Sequence, residues 1–240
     1  MKRVEDTIAP SIAPSLRPAV PAPTPPAASS AQLREAAMRY AEERHWEVFP
    51  GAWLEEGDDG IARCSCGDPV CAKPGAHPTR ADWPGQASGS AVAVRRMWRN
   101  EPRASVLLPT GRTFDIIEVP EVAGCLALAR MERMELPLGP VLSTPTRRLA
   151  FFVLPGATTK VPSLLRRLGW MPSALDLTVR SEGDYVVAPP TRMAAVGCVP
   201  GCVQWARQPT DMNRWLPDAE ELLNPIAYAC GREAAAQRGR

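Results

Sequence analysis

The sequence predicts an α+β fold, with a mixed or antiparallel sheet flanked by helices. Three observations lead there. Short β-type runs and helical runs follow one another irregularly, not in the strict strand–helix order of a doubly wound parallel sheet. Several β-type runs come in pairs joined by turn sequences, as in hairpins. The apolar content of 45% and charged content of 22% are those of an ordinary globular chain. At 240 residues, there is length for one well-buried domain and a tail. No internal repeat is visible.

Residues 1–28 are rich in proline and alanine. Such a segment buries too little apolar surface to offset chain entropy, so a disordered tail is expected, with a docking peptide for a protein partner as the alternative. The domain is expected over 29–230. Ser29 and Gln32 fit a capping box, and Leu33, Ala36, Ala37, Tyr40 and Ala41 recur at helical spacing up to Arg44. Trp46 to Phe49 alternates as a short strand. Residues 51–87 read as irregular. A second helix is predicted over Ser90–Arg99, with Val94 and Trp98 inward and Pro102 stopping it. Ala104–Leu108 and Phe114–Val119 read as a strand pair turning through Gly111. A helix from Glu121 to Glu135 would carry Val122, Leu126, Ala129 and Met134 as its apolar stripe. Val141–Thr144 and Leu149–Leu154 read as a hairpin, and Val161–Leu168 as a short helix with Pro162 in its first turn. Ala174–Val179 and Tyr185–Ala188 read as another pair around Gly183, and Val203–Ala206 as a further strand. The last helix falls within Trp215–Ala229, and 231–240 reads as a flexible C-terminal tail.

The formal net charge is only +2, so any nucleic-acid binding has to rest on a local patch. No apolar run reaches the length of a membrane span, and Met1-Lys2-Arg3 is not followed by the apolar core of a signal peptide. A cytoplasmic location follows as the expectation. There the seven cysteines would be reduced thiols or metal ligands.

Cys64, Cys66, Cys71 and His77 lie within fourteen residues, spaced C-x-C-x4-C-x5-H in a Gly- and Pro-rich loop. Three soft thiolates and an imidazole suit a tetrahedral zinc site. Four protein ligands close the coordination sphere, so the role expected is structural. The loop insertion spans about 61–80. Cys125 reads as a core helix residue and Cys230 as a buried thiol, while Cys198 and Cys202 form a C-x3-C pair without further ligands.

Several segments, in order, resemble the bifunctional DNA primase/polymerase (prim-pol) domains of actinobacterial and plasmid proteins. Trp46-Glu-Val-Phe-Pro50 resembles the family's "G-W-x-V-F-P" strand. Cys64–Pro78 resembles its cysteine-rich insertion, with Ala76 where lysine is usual. Val106-Leu-Leu-Pro-Thr-Gly111 resembles the approach to the first catalytic strand, and Ser143-Thr-Pro145 the "T-P-S-G-G-x-H" hairpin. Asp176 followed by Gly183-Asp-Tyr-Val-Val-Ala-Pro-Pro190 resembles the late "D…G-x-Y-V-V-x-P-P-S" motif. The alanine, arginine and proline content also suggests a high-GC, actinobacterial type of source.

The resemblance implies an RRM-like sheet, as in archaeo-eukaryotic primases, and nucleotidyl transfer on a DNA template with magnesium or manganese. That chemistry needs carboxylates holding two hard cations. In this sequence Glu118 falls on the first acid of the "h-D-h-D" strand and Pro120 on the second. Asp115 is three residues from Glu118, so on a strand it faces the other way. Leu149 or Ala150 stands where the phosphate-side histidine is expected, and Arg147 and Arg148 where the glycines precede it. Asp176 keeps its acid. Glu118 and Asp176 are therefore the residual catalytic candidates.

Arg147 and Arg148, at the mouth of the implied nucleotide cleft, are the candidate phosphate-binding residues. Arg95, Arg96, Arg99 and Arg103, and Lys160, Arg166 and Arg167, read as solvated faces. The expected function is a primase-polymerase-like, non-catalytic protein that binds DNA or a nucleotide. The alternatives are an active polymerase with a reduced metal site and a protein–protein adaptor.

Overall fold

The computed structural model describes residues 28–57, 60–194 and 199–239. In chain order its elements are α1 (Ser30–Arg44), β1 (Phe49–Gly51), β2 (Leu54–Glu56), β3 (Ala62–Cys64), α2 (Trp83–Gln86), α3 (Ala91–Asn100), β4 (Ser105–Pro109), β5 (Asp115–Pro120) and α4 (Glu121–Arg133). There follow β6 (Val141–Thr144), β7 (Arg148–Val153), α5 (Ala157–Arg167), β8 (Thr178–Arg180), β9 (Tyr185–Val187), β10 (Arg192–Met193), β11 (Gly201–Cys202), β12 (Gln204–Arg207) and α6 (Ala219–Arg238). No described helix is long and apolar enough to cross a membrane. The predicted α+β class with antiparallel sheets flanked by helices is what the chain adopts.

A five-stranded sheet, β12-β6-β7-β5-β8, forms the centre, and every pairing in it is antiparallel. A three-stranded sheet, β1-β4-β9, lies beside it, also antiparallel. Alternation along the central strands divides the core in two. Ile116, Leu142, Ala150 and Phe152 meet α1, α3 and the three-stranded sheet in one cluster, where Trp46 stacks on Phe152 at 5.1 Å between ring centroids. Ile117, Val119, Leu149, Phe151 and Val153 meet α4, α5 and α6 in the other.

The local signals at α1 hold. Ser29 Oγ accepts from the Gln32 amide at 3.3 Å, and Gln32 Oε1 accepts from the Ser29 amide at 2.8 Å, which completes the capping box. Val94 and Trp98 face inward from α3. The β6–β7 hairpin also forms as read.

Six expectations are corrected: residues 51–87, read as irregular, carry β2, β3 and α2; Cys125, read as core, is exposed; and four more follow. The run read as pairing Ala104–Leu108 with Phe114–Val119 is not a hairpin, because β4 joins the small sheet and β5 the central one. The run read as pairing Ala174–Val179 with Tyr185–Ala188 splits the same way, with β8 central and β9 in the small sheet. The two crossings run together. Thr110 Oγ1 donates to Ser181 O at 2.6 Å, and a Cβ on Gly111 would lie 2.2 Å from the Glu182 nitrogen. Gly111, at φ +90°, is the residue that lets the two connections touch.

On α4 the stripe is reversed. Val122, Leu126 and Met134 are exposed, while Ala123, Gly124, Ala127 and Met131 are buried. Small residues face the sheet because the helix packs close to it; a Cβ on Gly124 would sit 2.6 Å from Leu149 Cβ. Finally, α5 begins at Ala157, which places Pro162 inside the helix. Asp115 fixes that earlier start, its Oδ2 accepting from the Gly156 and Ala157 amides at 2.9 and 2.8 Å. At the C-terminus, α6 runs on through Arg238. The N-terminal segment 1–27 and Cys198 lie outside the described residues.

Candidate functional site

β3 ends at Cys64, and the loop that follows returns at His77 to bridge the edge of the small sheet through Gly51 and Pro78. The ligand atoms of Cys64, Cys66, Cys71 and His77 lie within 4.8 Å of one another. Cys64 Sγ is 3.3 Å from His77 Nε2. A tetrahedral ion with bonds of roughly 2.0–2.3 Å would separate its ligands by about 3.5–3.8 Å, so a small contraction seats all four. His77 Nδ1 lies 2.8 Å from Pro78 O, which fixes it as the donor and aims the Nε2 lone pair into the cluster. A backbone hydrogen bond from Asp68 draws the exposed Cys66 thiol down to about 7, while burial pushes Cys71 up to about 12. Gly75 donates its amide to Cys64 Sγ at 3.4 Å. It has φ +73°, and a Cβ there would lie 2.8 Å from both Arg192 O and Leu54 Cγ. The donor set and its convergence fit a metal ion.

The acids lie on the central sheet. β5 places Glu118 between Ala150 of β7 and Thr178 of β8. Ile116, Glu118 and Pro120 share one face, and Pro120 is opposite Arg148. Asp115 is on the other face, fully buried and occupied with the start of α5; its Oδ1 has no partner among the described residues. It offers nothing to the Glu118 side.

Two guanidinium groups surround Glu118. Arg148 Nε donates to Glu118 Oε1 at 3.2 Å, and Arg180 Nε to Glu118 Oε2 at 2.6 Å. Arg148 Nη1 then reaches both oxygens of Asp176, at 2.7 and 2.8 Å. Arg180 Nη1 reaches both of Asp184, at 3.1 and 3.3 Å. The Glu118 side chain is 16% exposed, Arg148 19% and Arg180 22%, so the pairs on Glu118 are largely shielded from water, while Asp176 is 64% exposed. Burial works against the Arg180 charge, but Glu118 and then Asp184 outweigh it and hold its pKa above the ordinary arginine value. The structure thus brings Glu118, Asp176 and Arg148 together. Arg147 stands apart at the hairpin tip, at φ 59° and 77% exposed, with Glu121 3.2 Å from its Nε.

A cavity of about 130 Å³ opens beside this network. Lys73, Thr144, Thr146, Arg180, Tyr185 and Met193 are among its lining residues, together with Glu118 itself. Arg180, Asp184 and Lys73 were not among the residues singled out from the sequence. No local signal marks Arg180, since β8 begins only at Thr178 and Arg180 meets Glu118 through strand register.

Of the basic clusters read as solvated faces, Arg103 pairs with Glu55 at 2.8 Å and lies over Trp53, and Lys160 pairs with Asp218.

Among solved structures, the polymerase domain from Mycobacterium tuberculosis ligase D in complex with DNA is similar at 14% identity. The likeness covers 86% of this chain and 92% of that one, with a TM-score of 0.38. No curated protein matches the sequence. The family model described as "Bifunctional DNA primase/polymerase, N-terminal" matches residues 37–217, three quarters of the chain and both clusters above, and the chain therefore belongs to that family.

Proposed function

We propose that this chain is a non-catalytic member of the prim-pol family that binds nucleic acid through its phosphate backbone at the rim of the cleft. The observation that carries this reading is the pair of arginines on Glu118. Two-metal nucleotidyl transfer needs two divalent cations roughly 4 Å apart, held by carboxylate oxygens. Here both oxygens of Glu118 and both of Asp176 already accept charge-assisted hydrogen bonds from guanidinium groups. A cation would have to displace hydrogen bonds worth about 1.5–3 kcal/mol each, and would then sit against two positive charges. Pro120 supplies no carboxylate, and Ala150 no imidazole.

Cavity size favours a polynucleotide over a free nucleotide. About 130 Å³ is well below the roughly 300 Å³ at which small-molecule sites begin. A strand lying across the open rim needs only surface cations, of which Arg147 is the most exposed at this hairpin. The Cys64, Cys66, Cys71 and His77 cluster is assigned to a structural zinc ion, whose four protein ligands leave no position for substrate.

The test is a titration of labelled single-stranded DNA at several salt concentrations, run beside primer extension with magnesium or manganese. Salt-sensitive binding with no incorporation is expected. Incorporation abolished by Glu118→Gln and Asp176→Asn would instead establish a working polymerase. Flat titrations at low salt against DNA would remove the binding role.

A further inference from the structure

We propose that Lys73 is the cation that the inside of this cleft offers to a nucleic-acid phosphate, in addition to Arg147 at its rim, and that the Cys64, Cys66, Cys71 and His77 metal cluster is what positions it. The proposal rests on the nucleic-acid reading above and names the contact and its control. At the cleft, Arg148 and Arg180 are bound to Glu118, Asp176 and Asp184, and Arg147 leans on Glu121. Lys73 also lines the cavity, is exposed, and has no carboxylate partner among the described residues. Its Nζ lies 5.4 Å from the centroid of the Tyr185 ring, which holds the ammonium near the opening without neutralising it. The Thr144 and Thr146 hydroxyls, 2.7 Å apart, lie on the same cavity and could share a phosphate oxygen with it.

Lys73 sits between two of the metal ligands, Cys71 and His77. The four residues after it are tied, carbonyl by carbonyl, to the frame of the cleft. Pro74 O accepts from the Ala194 amide at 3.0 Å, and Gly75 O from Ser105 Oγ at 2.7 Å. Ala76 O accepts from the Tyr185 hydroxyl at 3.3 Å, and His77 O from the Ala52 amide at 2.8 Å. The cluster pins this segment from the opposite side, through His77 itself and through the Gly75 amide on Cys64 Sγ. The stretch from Ser65 to Lys73 contributes no buried residue that would hold it in place once the ion is gone. Metal occupancy therefore decides whether Lys73 stands over Tyr185 or swings free.

The experiment uses the full zinc-loaded chain and labelled oligo-dT over a range of salt. Lys73→Ala is expected to weaken binding about three- to fivefold and to lower the salt slope by about 0.7, the share of one phosphate contact on a single strand. Lys73→Arg should restore both. Stripping the metal should weaken the parent chain to the level of Lys73→Ala while changing Lys73→Ala little, and should raise hydrogen exchange at residues 73–77 and 185–187. Binding that is unchanged by Lys73→Ala, or metal removal whose effect adds in full to that substitution, overturns the proposal while leaving the nucleic-acid reading intact. Absence of DNA binding in every form at low salt overturns both.

Discussion

The two clusters of potential metal ligands in this chain flank one cavity, which Glu118 lines directly and the cysteine loop reaches through Lys73 and Ala76, and they are arranged in opposite ways. In the cysteine loop, four donors converge and their nearest polar neighbours are one another, the Gly75 amide and the Asp68 backbone. On the central sheet, Glu118 and Asp176 are equally close to their neighbours, but those neighbours are guanidinium groups that already satisfy them. On the reading proposed above, the difference teaches that acidic residues in family positions do not by themselves make a cation site. What decides is whether the fold supplies its own positive charge to the same oxygens.

Removal of the zinc ion proposed for the loop should have the largest effect. Structural zinc adds its binding free energy to folding. Cys64→Ser, which breaks the buried ligand, is expected to cost at least about 3 kcal/mol and to lower Tm by roughly 6–12 °C. Thermal melts beside metal analysis read this, and about one zinc per chain should be lost. An unchanged melting curve would place the cluster on the same footing as the acids.

Next comes the arginine side. Arg148→Ala leaves Glu118 largely buried with one partner removed and frees Asp176. A fully buried broken pair costs about 3–5 kcal/mol, and partial exposure of this network brings the expectation to about 1–3 kcal/mol. Denaturant unfolding measures it, and Arg148→Lys should not rescue fully, because one ammonium cannot span both carboxylates.

Gly75→Ala should cost about 1–3 kcal/mol, through its left-handed φ and the contacts with Arg192 O and Leu54. Because Gly75 also donates to Cys64, the variant should lose zinc to a chelator faster than the parent. Arg147→Ala sits at the small end. Its exposed pair with Glu121 contributes under about 0.5 kcal/mol, so stability should hold while the salt slope for single-stranded DNA falls by about 0.7.

The sequence carried the features that depend on neighbours along the chain. The Ser29–Gln32 cap, the inward Val94 and Trp98, the β6–β7 hairpin and the cysteine spacing are all local, and a three-residue offset is enough to put Asp115 and Glu118 on opposite faces. It did not carry the choice of strand partner. β4 and β5 follow one another across a turn like a hairpin, as do β8 and β9, and only the paired crossings at Gly111 and Glu182 send them to different sheets. The α4 stripe misled because Val122 and Leu126 are more apolar than the alanines and Gly124 that pack on Leu149; close approach outweighed hydrophobicity there. Arg180 was illegible as a site residue for the same reason as the strand pairing. It lies sixty-two positions from Glu118, and only the register that sets Arg180 against Ile116 brings the two side chains together.

Manganese binding to the zinc-loaded protein, followed by electron paramagnetic resonance, tests the central claim most directly. The parent chain should show no manganese site at Glu118 and Asp176. Replacing both arginines with methionine, which keeps bulk and removes charge, should create one that Glu118→Gln then abolishes. Tight manganese binding by the parent chain, lost on Glu118→Gln, would contradict the claim that the arginines hold the place of the cations.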